Sequence, residues 1–169
     1  MTEPAIVLIG PMGAGKSSIG KKLARVVGVP FTDSDALVVR EYGPIDAIFA
    51  AHGEPHFREI ERRAVSAALA VGGVVALGGG AVLHPETQRD IAAHRVALLT
   101  VSEQTIASRL RGTTRPLLQG DDPVARWRAV AESRRELYER LADARFDTST
   151  GHIQDIVDAI AAWTREGTS

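Results

Sequence analysis

Apolar residues fall into two rhythms along this chain. Short, nearly unbroken apolar runs occupy residues 5–9, 30–32, 74–77 and 96–101, with a weaker one at 145–148. Between them, apolar positions return every three or four residues, the period of a helix packed along one face. Apolar runs bounded by turn residues read as buried strands, and their alternation with helices predicts a parallel α/β sheet covered on both sides. The expected architecture is a single three-layer domain around a mostly five-stranded parallel sheet.

Two stretches depart from simple strand–helix alternation. Residues 35–71 read as one long helical stretch, broken at Gly43-Pro44 and again at Gly53. That is too long for a plain crossover, and its first part, about 35–62, is expected to form a substrate-binding insert. Residues 111–123 carry two glycines, two prolines and paired aspartates without periodicity, so a loop acting as a lid is expected there. The helix expected over 123–143 has an apolar stripe of Trp127, Val130, Leu137, Tyr138 and Leu141, with Arg134 near its centre. A charge in that position needs a partner. Arg126, Arg128 and Arg135 fall off the stripe and read as solvated.

Composition narrows the function classes. The 20 basic and 21 acidic side chains leave a net charge of −1, so no chain-wide basic field exists to hold nucleic acid or an anionic membrane. An anionic ligand would need locally placed arginines. Cysteine is absent, which removes disulfides and thiolate metal sites from the account. The first residues lead straight into an apolar run with no basic segment ahead of it, and a cytoplasmic protein is expected. Nothing in the pattern demands more than a monomer. The five histidines show no spacing that argues for zinc, and His52 and His56 read as surface residues.

The strongest chemical signal follows the first apolar run. Residues 10–17 read Gly-Pro-Met-Gly-Ala-Gly-Lys-Ser, a complete P-loop between an expected strand and an expected helix. Glycines at 10, 13 and 15 permit the tight turn that gathers backbone N–H groups around phosphate at a helix N-terminus. In such a loop Lys16 reaches the β and γ phosphates and the Ser17 hydroxyl ligates Mg²⁺. Gly13, Ala14, Gly15, Lys16, Ser17 and Ser18 are the expected contacts to ATP. Helical periodicity at Ile19, Leu23, Val26 and Val27 then ends at Gly28, an expected C-cap.

The loop alone does not name an acceptor, but its surroundings exclude some. All three lysines lie at 16, 21 and 22, so the Asn-Lys-x-Asp base-reading motif of common GTPases is impossible. The third apolar run ends in Gly78-Gly79-Gly80 rather than in the acidic residue expected of a mechanical ATPase. Glycines at a strand's carboxyl edge let a ligand approach the backbone closely, although a plain strand-to-loop transition gives the same pattern. Asp33 and Asp35 end the second run two residues apart, on one side if the extended geometry persists. One could orient Mg²⁺-bound water and the other an acceptor hydroxyl, and helix N-capping is compatible with either.

Taken together and in order, these pieces resemble the shikimate kinase family over nearly the whole chain. The resemblance rests on residues 10–17, Asp33-Ser34-Asp35, Ile48-Phe49, Gly53-Glu54, Phe57-Arg58 and Leu77-Gly78-Gly79-Gly80. It continues through Arg115-Pro116-Leu117-Leu118 and Arg134-x-x-Leu137-Tyr138. It implies a P-loop kinase fold and ATP-dependent, Mg²⁺-assisted phosphorylation of the shikimate 3-hydroxyl, a step in aromatic amino-acid biosynthesis. By the same resemblance Arg58 and Arg134 grip the substrate carboxylate, helped by the Gly78–Gly80 edge, and Asp35 orients the hydroxyl. Asp33 supports Mg²⁺ through water, Arg115 stabilises the transferring phosphoryl group, and Arg109 stacks on adenine.

The residues keep alternatives open beside those roles. Arg58 has Glu54 at i−4 and Glu61 at i+3, which would make surface ion pairs. Phe49 and Phe57 suit an apolar wall beside a cyclic substrate or plain core packing. A gluconate-type or nucleoside monophosphate kinase is the rival enzyme, and a nucleotide-binding regulator without catalysis the rival of another class.

Overall fold

The computed structural model describes residues 3–110 and 122–167. Five strands form its sheet: β1 (Ile6–Ile9), β2 (Phe31–Asp33), β3 (Val74–Ala76), β4 (Arg95–Thr100) and β5 (Ala144–Asp147). Their order across the sheet is β2-β3-β1-β4-β5, with every neighbouring pair parallel. Each strand lies within a residue of the run that predicts it; in β1, β3 and β4 near-continuous Val, Ile, Leu and Ala runs suit burial on both faces, while the edge strands β2 and β5 are only partly covered.

Within those runs the period of two sorts side chains between two cores. Val7, Ile9, Val75, Leu77, Val96 and Leu98 face one layer, while Ile6, Leu8, Val74, Ala97 and Leu99 face the other. The first layer is closed by α3 (Ile45–Val71), α4 (Pro85–Ile91) and α6 (Pro123–Leu141), through residues such as Val65, Ala68, Ile91 and Tyr138. The second is closed by α1 (Lys16–Val27) and α7 (Ile153–Glu166), through Ile19, Leu23, Ile156, Val157 and Ile160. The three-layer expectation holds. Gly28 caps α1 in the left-handed region, as expected, but Val26 lies in the exposed last turn, 45% accessible, and not in the core.

The long helical stretch divides where its glycines lie. α2 (Ser34–Tyr42) ends at Gly43, and α3 bends at Gly53, whose φ of 82° and ψ of 173° interrupt the helix. A small third core of Val38, Ile48, Phe57, Ile60 and Ala64 holds this insert together. Extended geometry does not persist to Asp35: the strand stops at Asp33, which takes the N-capping alternative by accepting from the N–H groups of Asp35 and Ala36. Capping orphan N–H groups outweighs one more extended residue. The expected lid also loses its last residues, since Asp122 caps α6 and Pro123 opens it. Residues 111–121, with Arg115, lie outside the described residues. α5 (Glu103–Arg109) precedes them, and a 3₁₀ turn (Ala81–Leu83) follows β3.

Because all five strands are parallel, their carboxyl ends share one edge of the sheet. The neighbouring strands β1 and β4 send their crossovers in opposite directions, to β2 and to β5, and such a switch point is where open α/β sheets bind ligands. The loops after β1, β2, β3 and β5 therefore face one another.

Gly73 shows how tightly the opposite edge is built. Its φ is +74°, and a Cβ added there would lie 2.3 Å from the Pro30 carbonyl oxygen, whose acceptor is taken by the N–H of Val74 at 2.9 Å. No side chain can move to relieve that collision. Gly73→Ala is expected to cost about 2–4 kcal/mol and to lower Tm by at least roughly 5 °C. Thermal unfolding followed by circular dichroism checks this, and an unchanged Tm would refute the steric account.

Candidate active site

A cavity of about 690 Å³ opens at the carboxyl edge of the sheet and runs from the P-loop to the insert. At one end it is lined by Gly13, Ala14, Gly15, Lys16, Ser17 and Ser18, as expected. The Lys16 ammonium donates to the carbonyls of Gly10 and Pro11, the latter at 3.1 Å, so the side chain folds back across the loop. The Ser17 hydroxyl donates to Asp33 Oδ2, which joins the two groups expected to support Mg²⁺. Asp33 thus serves both: Oδ1 caps α2 and Oδ2 faces the loop.

At the other end the structure brings together Asp35, Phe49, Phe57, Arg58, Gly79, Gly80 and Arg134. Asp35 reaches the cavity from the first turn of α2, not from extended backbone. Arg134 is 6% exposed on α6, the inward charge its stripe predicts. Phe49 and Phe57 pack with ring centroids 4.9 Å apart, belong to or lean on the insert's core, and also line the cavity. The core-packing reading holds, and the rings also face the space where a cyclic substrate would lie under the other. His52 and His56 are exposed, with their rings 4.5 Å apart.

The glycine triplet has a reason beyond close ligand approach. A Cβ at Gly78 would lie 2.5 Å from Asp35 Oδ1, and one at Gly80 would lie 2.4 Å from Arg58 Nη2. One at Gly79 would meet Arg134 Nη1 at 3.5 Å. Each glycine therefore backs a different charged side chain, and the two guanidinium groups converge on consecutive residues. Gly78 does not offer its N–H to the cavity, because that group donates to the buried Ser34 hydroxyl at 3.0 Å. Tyr138 donates to the Gly79 carbonyl at 2.5 Å and fixes the same strand end from α6.

Arg58 makes ion pairs with Glu54 at 3.1 Å and Glu61 at 2.8 Å. Only the first is the surface pair expected; Glu61 is 3% exposed and lines the cavity. It is a site residue that sequence reasoning missed, although the signal was present. Glu61 sits in the apolar stripe of Phe57, Ile60, Ala64, Val65 and Ala68, as Arg134 sits in its own. Arg58 Nε is buried without a partner among the described residues, a cost that a purely stabilising ion pair would not carry.

The pair's electrostatics are lopsided. Burial opposes the Arg58 charge, but Glu61 and Glu54 more than offset it and hold the pKa above the ordinary arginine value. Burial likewise raises the Glu61 carboxyl; Arg58 and Arg134 oppose that shift, and Asp35 adds to it. Glu61 is the deeper partner, and loss of hydration is the stronger influence on it. Burial also raises the Tyr138 phenol, against the pull of Arg134.

Arg109 stands between the P-loop and the end of β5. It donates to the Gly13 carbonyl at 2.7 Å and to the Thr148 carbonyl at 2.9 Å, and it lines the cavity. Arg128 and Arg135 are exposed, as expected, and pair with Glu103 and with Glu132 and Glu139.

Fold and site define the class: a P-loop kinase domain in which a phosphate loop and an arginine-lined acceptor pocket share one cavity. The family model described as shikimate kinase matches residues 12–165. A shikimate kinase of Corynebacterium efficiens is 42% identical over 162 residues, covering 95% of this chain and 96% of the relative. One from Mycobacterium avium is 46% identical over 149 residues, covering 86% and 85%. Among solved structures, a shikimate kinase from Acinetobacter baumannii in complex with shikimate superimposes with a TM-score of 0.93 at 32% identity, covering 99% and 96%. The chain belongs to the shikimate kinase family.

Glu61 supplies a pH test. A carboxyl whose folded pKa is raised contributes most to stability below its unfolded value and loses that contribution as pH rises through the folded value. Wild type should therefore lose stability relative to Glu61→Gln as pH rises from 4.5 through the raised pKa. The loss should be about 1.4 kcal/mol for each pH unit that separates the unfolded from the folded value. Urea unfolding of both proteins at a series of pH values measures this. A pH-independent difference would mean that Glu61 keeps its ordinary pKa.

Proposed function

We propose that this protein transfers the γ-phosphoryl group of ATP to the 3-hydroxyl of shikimate, giving shikimate 3-phosphate and ADP. The observation that carries this reading is the single cavity with phosphate-binding backbone at one end and two convergent guanidinium groups, Arg58 and Arg134, at the other. Membership of the family and the shikimate-bound relative support it. A planar guanidinium fork suits a carboxylate, and the choice of shikimate over the other anionic acceptors rests on the family. The product is an intermediate on the way to aromatic amino acids.

In this reading the acceptor oxygen attacks the γ-phosphorus, the bond to the β–γ bridging oxygen breaks, and the acceptor proton leaves toward Asp35. Asp35 is held for that task by its cap and by the space above Gly78. Lys16 and the loop N–H groups hold the phosphates. The hydroxyl of Ser17 and the carboxylate of Asp33 are oxygen donors of the kind Mg²⁺ takes alongside phosphate and water, and they already adjoin one another. When bound, Mg²⁺ neutralises charge on the β and γ phosphates. Arg115 lies outside the described residues, and its role on the transferring group rests on the family resemblance. Arg109 has donors engaged in the guanidinium plane, which keeps a face for adenine. Positioning and electrostatics supply most of the rate.

We further read the chain as one kinase domain, with the insert as its acceptor-binding part, acting as a cytoplasmic monomer without nucleic-acid or membrane partners. Among the described residues no helix is long and apolar enough to cross a membrane.

An ADP-release assay with shikimate, gluconate and nucleoside monophosphates tests the reading, with turnover expected on shikimate alone. Lys16→Ala should lower kcat at least about 10³-fold. Arg134→Ala should raise the KM for shikimate by about 100-fold or more, with a smaller effect on the KM for ATP. Gly80→Ala leaves the backbone unstrained, but the methyl must displace the Arg58 guanidinium from its pair with Glu61, so the KM for shikimate should rise about tenfold and Tm should fall. Turnover on another acceptor only, or an Arg134→Ala enzyme with unchanged kinetics, would overturn the assignment.

A further inference from the structure

The trans peptide unit points its C=O and N–H to opposite sides. A loop that turns N–H groups toward phosphate must therefore turn carbonyls away, and buried carbonyls need donors. Every carbonyl of the phosphate loop has one. Lys16 serves Gly10 and Pro11, and the α1 backbone serves Gly15 through the N–H of Ile19 at 2.9 Å. The three between them are each held by a side chain from a different element. The Trp127 indole of α6 donates to Met12 at 2.8 Å, Arg109 of α5 to Gly13 at 2.7 Å, and the Thr148 hydroxyl, just past β5, to Ala14 at 2.7 Å.

From this geometry we propose that Thr148 and Trp127 are positioning residues of the nucleotide loop, acting on the phosphates through the carbonyls they hold. The assignment rests on the ATP-binding reading above. Thr148 is the clearer case. Its side chain is buried with the residue 4% exposed, and its hydroxyl lies near two carbonyls, Ala14 at 2.7 Å and Thr100 at 3.0 Å. Thr100 already accepts from the Thr148 N–H at 2.7 Å, so the hydroxyl proton serves Ala14. Holding the Ala14 oxygen outward sends the Gly15 N–H the other way, toward the cavity that Gly15 lines. The Thr148 carbonyl also accepts from Arg109, so one residue braces two successive loop carbonyls, one directly and one through Arg109. Trp127 does the same for the Gly13 N–H from the opposite side.

Thr148→Val keeps the shape and removes the hydroxyl, and Thr148→Ser restores it. Calorimetric titration of the full chain with MgADP, and separately with shikimate in the absence of nucleotide, reads the effect. The Kd for MgADP and the KM for ATP are expected to rise about tenfold in Thr148→Val, with the Kd for shikimate within about twofold of wild type. Thr148→Ser should return the nucleotide values to within about threefold. Should Thr148→Val not fold, Trp127→Phe, which removes only the donor at Met12, decides by the same comparison. Wild-type nucleotide affinity in the variant, or equal losses for both ligands, overturns the assignment. MgADP titration involves no acceptor, so failure of wild type to phosphorylate shikimate would sink the proposed reaction and leave this inference to its own measurement.

Discussion

A chain segment that must present N–H groups to an anion inherits an obligation on its other side: the carbonyls it turns outward have to be hydrogen-bonded. In this protein that obligation organises the architecture around β1. The donors come from α5, α6 and the residue after β5, so the loop keeps its shape only when β4, β5 and both helices are in place. The phosphate site is thus not a local motif attached to a fold. It is completed by side chains up to 134 residues away in sequence. Preorganisation of this kind is paid once, in folding, and spares the reaction that reorganisation.

The acceptor end answers a different constraint, that of bringing several charges close together out of water. Asp35, Glu61, Arg58 and Arg134 are packed against one strand end, and the absence of side chains at Gly78 and Gly80 makes room for Asp35 and Arg58. Two are acidic and two basic, which lets each be buried at tolerable cost. α6 ties the two ends together. It carries Trp127 against the nucleotide loop, Arg134 in the acceptor pocket and Tyr138 on the Gly79 carbonyl, all on one face. A single helix therefore reaches both ends of the cavity and, in the proposed reaction, would help set the distance between donor and acceptor.

The features legible in the sequence are those governed by local pattern. The central strands read clearly because both faces are buried, and the helix breaks read clearly because Gly43 and Gly53 take positive φ. Strand order is not legible, since any of the five runs can pair with any other until the crossovers are folded. The backbone of Asp35 escapes the pattern because capping at Asp33 competes with extended geometry, and two aspartates in a row of five residues do not say which wins. Glu61 is readable by the same reasoning that finds Arg134. Trp127 and Thr148 are not: an indole in an apolar stripe and a threonine after a strand look like ordinary packing until the loop carbonyls are seen beside them.

Glu61 bears on how the proposed carboxylate ligand would be held. Its carboxyl group already sits on Arg58, so the guanidinium is oriented before any ligand arrives. An incoming carboxylate brings a second negative charge to the same cluster. That charge must raise the Glu61 pKa further, since like charges disfavour ionisation. A neutral acceptor makes no such demand and gains no such pairing from Arg58 and Arg134, whose burial has then to be balanced by Glu61 and Asp35 alone. Asp35 and Glu61 already balance the two arginines, so in the proposed reaction discrimination rests on the geometry of guanidinium pairing beside the two phenylalanine rings and not on net charge.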